Sequence, residues 1–305
     1  MDDVSRAPKT RGRRWLRRAA WAFPLFTMAV YAGISLYSAD QLTRPHNRRE
    51  GANPAAFGDA STRWSVRTDD GLTLRGWYYR GDEGKPLIVL VHGLWQSWLH
   101  MAGLGHDLHE KGYGVLLFDL RGHGQSDPSR VSMGRRETGD LRAVLAWAQT
   151  EGFEPERVGW VGYSMGASAL LIEAARNPKI KVAVIDSPFG NLPELLNTQL
   201  SRHSHLPQFF NPGILAAARY AYGVRTDDLV PIRSANAWGA RPLLLIHGEA
   251  DSTVPVRQAR AIASAAGPTC QAVWLPGVEH NEAYRDDPEH YVARVDAFFR
   301  RHLSQ

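Results

Sequence analysis

The chain has 305 residues, of which 44% are hydrophobic, so it is long enough for one large α/β domain or two small ones. Its single cysteine, Cys270, excludes an internal disulfide and any zinc site that needs two cysteines of this chain. Residues 1–18 carry seven basic and two acidic side chains, which accounts for the whole net charge of +5. The remainder is neutral overall and so predicts no nucleic-acid partner, because nucleic-acid binding needs a basic patch on the folded domain.

The first predicted element is an apolar helix over residues 19–39. This stretch has no charged side chain, and its length as a helix is ~30 Å, the thickness of a bilayer core. We predict a single-pass membrane anchor with residues 1–18 as a basic cytoplasmic tail and the rest facing the periplasm, the exterior or a lumen. Pro24 is expected near one end of this helix, where it is tolerated best. A signal peptide cleaved after Ala39 is the alternative, but the bulky Tyr37 and the long apolar run favour an uncleaved anchor.

Past the anchor, residues 40–60 are predicted to form a linker, and one folded domain is expected over 61–305. Alternating residues around Asp70-Gly71 predict a hairpin with strands near 62–68 and 72–80. Continuous apolar runs, typical of strands buried on both faces, follow at 86–93, 114–119, 157–162, 181–186, 242–248 and 271–276. Helical stretches lie between most of them, at 134–150, 165–176, 254–266 and 287–302. This alternation predicts an α/β fold with a mostly parallel sheet and helices on both faces.

One connection in this predicted sheet is too long to be a simple loop. Between Pro188 and Trp238 no run resembles a strand, and the segment is apolar, aromatic and helical in character. A connection of this length in a compact domain should have structure or a function of its own. We expect a helical cap, at about 190–238, over the ligand-binding end of the sheet.

The stretch GWVGYSMGAS, residues 159–168, places Ser164 between a predicted buried strand and a helical sequence. A G-x-S-x-G turn at such a junction is typical of a nucleophile elbow, whose glycines permit a sharp turn and whose serine projects at a helix N-terminus. Taken alone, a pattern of five residues often occurs by chance, and it also fits a plain tight turn. A nucleophilic serine also needs a histidine base and a carboxylate that orients it, in the chain order serine, acid, histidine.

Two later loops supply these partners. Asp251 follows one predicted strand and His280 follows the last, so both are expected at the sheet edge that carries Ser164. Asp186 and Glu249 are rival carboxylates, and Asp251 could instead cap the next helix.

An oxyanion hole needs two N–H donors. Met165 follows the serine, and Leu94 lies in the loop after the first parallel strand, so their backbone N–H groups are the candidates. The neighbouring Trp95 is expected either in an acyl pocket or in the core. No metal site is predicted, because the histidine pair His106 and His109 has no evident companion ligand.

At these positions the sequence resembles the α/β-hydrolase family, and most closely its membrane-anchored, single-span branch and related esterase-like and serine peptidase-like hydrolases. The motifs GYSMG, HGLW, DLRGHGQSD, HGEADSTVP and GVEHNE occur in the family's order within roughly residues 61–303. The resemblance implies a Ser164, Asp251 and His280 triad, an oxyanion hole from Leu94 and Met165, and no cofactor. HGLW stands where one esterase group has HGGG, so that group's preference for bulky esters does not carry over.

Other polar residues of these motifs are expected to be structural. Arg121 and His123 of DLRGHGQSD should shape a turn, and His92 and His247, which precede glycines at strand ends, should support loops.

The sequence thus predicts a serine hydrolase of carboxylic esters or thioesters, acting on a small-molecule or lipid-like acyl substrate by two-step acyl transfer. A serine aminopeptidase or amidase is the alternative, for which Glu194 or Glu279 would bind the substrate amine. A non-catalytic membrane-anchored binding protein is the least favoured interpretation, because degenerate members of the family usually lose a triad residue and this chain has all three.

Overall fold

A computed structural model describes residues 10–47 and 61–303 of the chain, with side chains described from residue 21 onward. The strands of these residues are β1 (Ser61–Arg67), β2 (Thr73–Tyr79), β3 (Leu87–Val91), β4 (Gly114–Phe118), β5 (Val158–Tyr163), β6 (Val182–Asp186), β7 (Leu243–Gly248) and β8 (Cys270–Leu275). The α-helices are α1 (Thr10–Thr43), α2 (Ala102–Glu110), α3 (Glu137–Thr150), α4 (Met165–Arg176), α5 (Leu192–Ser204), α6 (Asn211–Tyr220), α7 (Pro231–Ala235), α8 (Val256–Ala266), α9 (Ala283–Asp286) and α10 (Pro288–His302). Short 3₁₀ helices lie at Trp98–Met101, Pro155–Arg157 and Gln208–Phe210.

The eight strands form one sheet in the order β1-β2-β4-β3-β5-β6-β7-β8. The β1–β2 and β2–β4 pairs are antiparallel, and all the other neighbours are parallel. The prediction of a mostly parallel sheet is therefore confirmed. Because parallel strands end at the same edge, the loops after β3, β5, β6, β7 and β8 meet above one end of the sheet, where open α/β sheets bind ligands.

The strands β3 to β7 are fully buried because the sheet has a core on each face. Alternate residues of β3 belong to different cores: Leu87, Val89 and Val91 pack on the side of α3, α4 and α8, and Ile88 and Leu90 on the side of α2 and α10. Helices on both faces are thus confirmed. The apolar run of β8 also suggested a strand buried on both faces, but β8 is only half-buried, because it is the last strand of the sheet.

The N-terminal helix α1 is longer than the predicted span of 19–39, since it runs from Thr10 to Thr43. Pro24 therefore lies inside the helix, and the prediction that it lies near a helix end is wrong. The part from Trp21 to Thr43 is long and apolar enough to cross a membrane. Of the predicted basic tail, residues 1–9 lie outside the described residues.

The predicted linker at 40–60 begins as structured chain. Its first four residues complete α1, and the next ones lie against the folded domain. The His46 N–H donates to the Gly122 carbonyl at 2.6 Å, and the Asn47 amide donates to the Ser126 carbonyl at 2.7 Å. Residues 48–60 lie outside the described part of the chain.

The long connection between β6 and β7, where a helical cap was predicted at about 190–238, contains α5, the 3₁₀ turn Gln208–Phe210, α6 and α7. Asn191 caps α5, since its side chain accepts the Glu194 N–H at 3.2 Å. Four leucines of α5 recur at i, i+3, i+4 and i+8 and are buried on one face, at positions 192, 195, 196 and 200. This face covers the end of the sheet where the loops meet.

Candidate active site

Ser164 lies on a sharp turn between β5 and α4. Its φ of 49° and ψ of −111° fall in a region that residues other than glycine seldom adopt. Its N–H donates to the Asp186 carbonyl at 2.8 Å, which fixes the turn to the neighbouring strand. The flanking glycines are required by close backbone approaches. A Cβ on Gly166 would lie 2.5 Å from the carbonyl oxygen of the last β3 residue, and one on Gly162 would lie 2.7 Å from the α4 backbone.

A chain of hydrogen bonds joins Ser164 to His280 and Asp251. The Ser164 Oγ lies 2.9 Å from His280 Nε2, and His280 Nδ1 lies 2.7 Å from Asp251 Oδ2. The Asp251 side chain is fully buried, whereas that of His280 is 18% exposed. With Nδ1–H donated to the carboxylate, Nε2 is left as an acceptor for the serine hydroxyl. The structure thus brings together the three residues that the sequence predicted at one sheet edge.

Asp251 is fixed through both of its oxygens. While Oδ2 holds His280, Oδ1 accepts the N–H groups of Thr253 at 2.9 Å and Val254 at 2.7 Å. Because α8 begins only at Val256, Asp251 orders the loop before that helix and does not cap the helix itself. His247 supports the same loop, as predicted, by donating from Nε2 to the Val254 carbonyl at 2.9 Å.

The rival carboxylates have other partners. Glu249 pairs with Arg260 at the surface, 2.7 Å apart. Asp186 is buried at the end of β6, where it accepts the hydroxyl of Ser187 at 2.9 Å and that of Tyr291 at 3.0 Å. Burial raises the pKa of Asp186 to about 6. Neither carboxylate is hydrogen-bonded to His280, and within the described chain Asp251 is the acid that reaches it.

The two predicted oxyanion donors lie at the same cavity as Ser164. Among residues 10–47 and 61–303, neither the Leu94 N–H nor the Met165 N–H has a hydrogen-bond partner. The preceding N–H, that of Gly93, is instead occupied by the Gln96 side chain at 3.0 Å. The loop lies close to the serine, since a Cβ on Gly93 would be 3.3 Å from the Ser164 Cβ. Two unoccupied N–H groups beside one hydroxyl are what an oxyanion hole requires.

His123 supports this loop in a way that the sequence did not reveal. Its Nε2 accepts the Trp95 N–H at 3.2 Å, and its Nδ1–H donates to the Arg121 carbonyl at 2.9 Å. Burial lowers the pKa of His123, which keeps the ring neutral and Nε2 able to accept. This contact holds Trp95 at a φ of 58°, directly after Leu94. His92 supports a neighbouring loop, as predicted, by accepting the Leu120 N–H at 3.0 Å.

An apolar cavity of about 190 Å³ opens at Ser164. Its lining includes Trp95, as one of the two interpretations of that residue expected. Most of the other lining side chains are apolar: Leu42, Leu94, Met133, Met165, Phe189, Leu192, Leu195, Leu196, Leu200 and Val254. Among the described residues, none that lines the cavity is a carboxylate.

The two glutamates considered as amine binders lie outside this lining. Glu194 forms an ion pair with Arg257, 2.9 Å apart, and Glu279 accepts the Ser252 N–H at 3.0 Å. The aminopeptidase interpretation therefore has no carboxylate of the described chain inside the cavity.

Two further polar residues considered in the sequence analysis, Arg121 and His109, have structural contacts. Arg121 is buried and pairs with Asp70 at 2.6 Å and Asp140 at 2.8 Å. His109 donates from Nδ1 to the Tyr113 carbonyl at 3.2 Å. Across the described ranges no three metal-ligating side chains come together.

Comparisons with known proteins agree with this architecture. A family model described as "alpha/beta hydrolase fold" matches residues 86–228. The uncharacterized protein Rv2307c of Mycobacterium tuberculosis is 31% identical over 233 residues, which cover 75% of this chain and 74% of that protein. The chain belongs to the α/β-hydrolase family.

More distant matches extend this result. This α/β hydrolase is 27% identical to the uncharacterized peptidase YuxL of Bacillus subtilis, over 77% of this chain and 38% of that protein. The structure of the Pyrococcus furiosus esterase Pf2001 superposes with a TM-score of 0.72 at 23% identity, covering 86% of this chain and 99% of the esterase. The esterase RhEst1 from Rhodococcus sp. gives a TM-score of 0.58 at 21% identity, over 79% and 99% of the two chains. The fold is shared with these esterases, and the family relationship supports a hydrolase.

Proposed function

We propose that this α/β hydrolase cleaves carboxylic esters or thioesters by acyl-enzyme chemistry at Ser164, His280 and Asp251. The observation that carries the proposal is the unbroken chain of hydrogen bonds from a buried carboxylate to a serine at the floor of an apolar cavity. The similarity in fold to the esterases Pf2001 and RhEst1 supports the same reaction class.

The proposed reaction assigns a residue of the site to each step. His280 Nε2 takes the hydroxyl proton as Ser164 Oγ attacks the substrate carbonyl carbon, and the Leu94 and Met165 N–H groups stabilise the oxyanion. The imidazolium then gives its proton to the leaving oxygen or sulfur, which leaves an acyl-serine. His280 next deprotonates a water molecule that attacks the acyl carbon, and the imidazolium returns the proton to Ser164 Oγ as the acid leaves. Throughout, Asp251 orients the ring and stabilises its positive charge.

The lining of the cavity favours an acyl chain as the bound group. Burial of apolar surface contributes about 0.8 kcal/mol per methylene, and the cavity wall is built mainly of leucine, methionine and phenylalanine side chains. An aminopeptidase substrate would bring a charged amine, for which the described lining offers no carboxylate.

We also infer that α1 is retained as an uncleaved membrane anchor, with its basic N-terminal part on the cytoplasmic side. The packing of its C-terminal half supports this inference. Ser35 and Ala39 are buried against the folded domain, and Asp40 pairs with Arg130 at 2.6 Å. Cleavage after Ala39 would remove the first part of this interface and uncover apolar surface of α6, against which α1 packs.

The test is labelling of detergent-extracted, full-length protein with a fluorophosphonate probe that reacts with activated serines. Wild type and Ser65→Ala, a control on the exposed outer strand, should label, and Ser164→Ala should not. With an ester substrate, Ser164→Ala should lower kcat by ~10⁴-fold or more. A folded wild type that does not label would contradict the proposal. Faster cleavage of aminoacyl amides than of esters and thioesters would replace it with the aminopeptidase interpretation.

A further inference from the structure

The helix α1 forms part of the wall of the cavity at Ser164. Leu42, from its last turn, lines the cavity together with leucines of α5. A second cavity of about 250 Å³ adjoins the first, and the two share Leu42, Trp95, Leu200 and His203. The outer cavity is also lined by residues of α1, namely Tyr37, Ser38 and Gln41. The cavity at Ser164 therefore adjoins one whose wall is partly formed by α1.

The two cavities differ in the polarity of their linings. An amphiphilic substrate, which has an apolar chain and a polar end, would match this difference. The inner one is lined mainly by hydrocarbon side chains, whereas the outer one adds the polar groups of Tyr37, Ser38, Gln41 and Ser204. The inner cavity, with a volume of about 190 Å³, would take only the part of a long acyl chain that lies nearest the ester. The rest of a longer chain would lie in the outer cavity, against α1.

The cap lies beside the apolar part of α1. Residues 206–218 of the cap contain no charged side chain. The Tyr31 hydroxyl donates to the Phe209 carbonyl at 3.0 Å and accepts the Gly213 N–H at 3.1 Å, and its ring stacks on Phe210 with 5.1 Å between centroids. Tyr31 lies in the middle of the charge-free stretch 19–39. The cap is thus attached to α1 at the depth that a membrane-crossing helix would place within the bilayer.

The outer surface of this contact is apolar too. Phe209 is 63% exposed beside Tyr31, and Phe26, Met28 and Val30 of α1 are exposed next to it. A contiguous exposed apolar surface of this kind is typical of a site that contacts a membrane or another protein. The apolar surface of the cap is continuous with that of the anchor helix.

We propose that α1 and the cap segment 206–218 enter the membrane together, and that the cavity mouth along α1 takes a long-chain acyl ester directly from the bilayer. This inference rests on the proposed function, because the bound chain must end at Ser164. It assigns to α1 a role in substrate entry and acyl-chain selection in addition to attachment.

The first test narrows the outer cavity along α1 by placing a tryptophan in its lining. The full-length protein is reconstituted in phosphatidylcholine vesicles and assayed with p-nitrophenyl acetate and p-nitrophenyl palmitate. Each methylene kept from apolar contact costs about fourfold in affinity, so Ser38→Trp should lower the palmitate-to-acetate ratio of kcat/KM at least tenfold. Gln41→Trp, at the same mouth, is a second variant with the same expected loss. The matched control is Leu36→Trp, which places the same side chain on an exposed position of α1 outside the cavity lining and should leave the ratio within twofold. An unchanged ratio in both mouth variants, or an equal fall in the control, would overturn the proposal.

The second test identifies the source of the substrate. The palmitate ester is placed either in the vesicles that hold the protein or in separate vesicles of the same composition. Entry from the bilayer predicts an initial rate at least tenfold higher when ester and protein share a membrane. Equal rates would show uptake from water and overturn the proposal. Failure of the proposed function gives a different result, in which neither ester is hydrolysed and Ser164 is not labelled by the probe. If acetate is hydrolysed but the palmitate-to-acetate ratio of kcat/KM is the same in all variants, only the entry path is refuted.

Discussion

The substitution Asp251→Asn separates the orienting role of this residue from its role in folding. The new side-chain amide would keep an oxygen for the Thr253 and Val254 N–H groups, which lie 2.9 and 2.7 Å from Oδ1. Its NH₂ group would then face His280 Nδ1, which now finds a carboxylate oxygen at 2.7 Å. Because an NH₂ group donates, the ring would present Nε2–H toward Ser164 and lose its ability to accept the hydroxyl proton.

The expected loss follows from this tautomer change together with the loss of a buried counter-charge. In a serine protease the equivalent change costs about 10⁴ in kcat, and we expect ~10³ to 10⁴ here, or ~4 to 5.5 kcal/mol of transition-state stabilisation. The assay is kcat on a short-chain p-nitrophenyl ester at pH 8, with thermal unfolding to verify the fold. Asp186→Asn is the control and should lose less than ~10-fold, because Asp186 is not bonded to His280. If Asp186→Asn were the more damaging change, the assignment of the acid would be refuted.

Two further predictions concern stability. Ser164→Gly should be as inactive as Ser164→Ala but more stable by about 1 kcal/mol, because glycine adopts a φ of 49° without the strain that serine and alanine incur. Thermal unfolding of the two variants in detergent measures this difference. Equal stability would mean that the turn is unstrained. For Asp186, burial raises the pKa from 3.8 in the unfolded chain to about 6, so the folded state binds the proton more tightly. The folded state therefore loses roughly 3 kcal/mol of stability as pH rises from below 3.8 to above 6. The unfolding free energy of Asp186→Asn relative to wild type should therefore increase between pH 4 and pH 7, and a difference that does not vary with pH would show that Asp186 titrates normally.

Most of the sheet could be predicted from the sequence because each buried parallel strand leaves a local signal. The apolar run predicted at 157–162, for example, became β5 at Val158–Tyr163, and the run at 114–119 became β4 at Gly114–Phe118. The exposure of β8 could not be predicted in this way, since its own residues do not tell whether another strand covers its outer side. Ser164 and its two partners were found for the same local reason, because each directly follows a strand.

The contacts that the sequence did not reveal join distant segments. His123 accepts the Trp95 N–H because two loops come together at the sheet edge, although the two residues are 28 positions apart in the chain. The burial of Ala39 depends on the position of the cap, more than 150 residues later in the chain. Neither the composition of α1 nor its length distinguishes a face that meets protein from one that meets lipid, so the sequence predicted a helix without tertiary partners.

The attachment of residues 44–47 to the catalytic domain bears on how this protein could exchange parts with others during evolution. The Asn47 amide lies within 3.3 Å of the carbonyls of His123, Gly124 and Ser126, so the chain that follows α1 supports the turn whose histidine accepts the Trp95 N–H. A recombination point placed between α1 and the folded domain would separate these contacts. We therefore expect α1 and the domain to be exchanged between proteins as one unit.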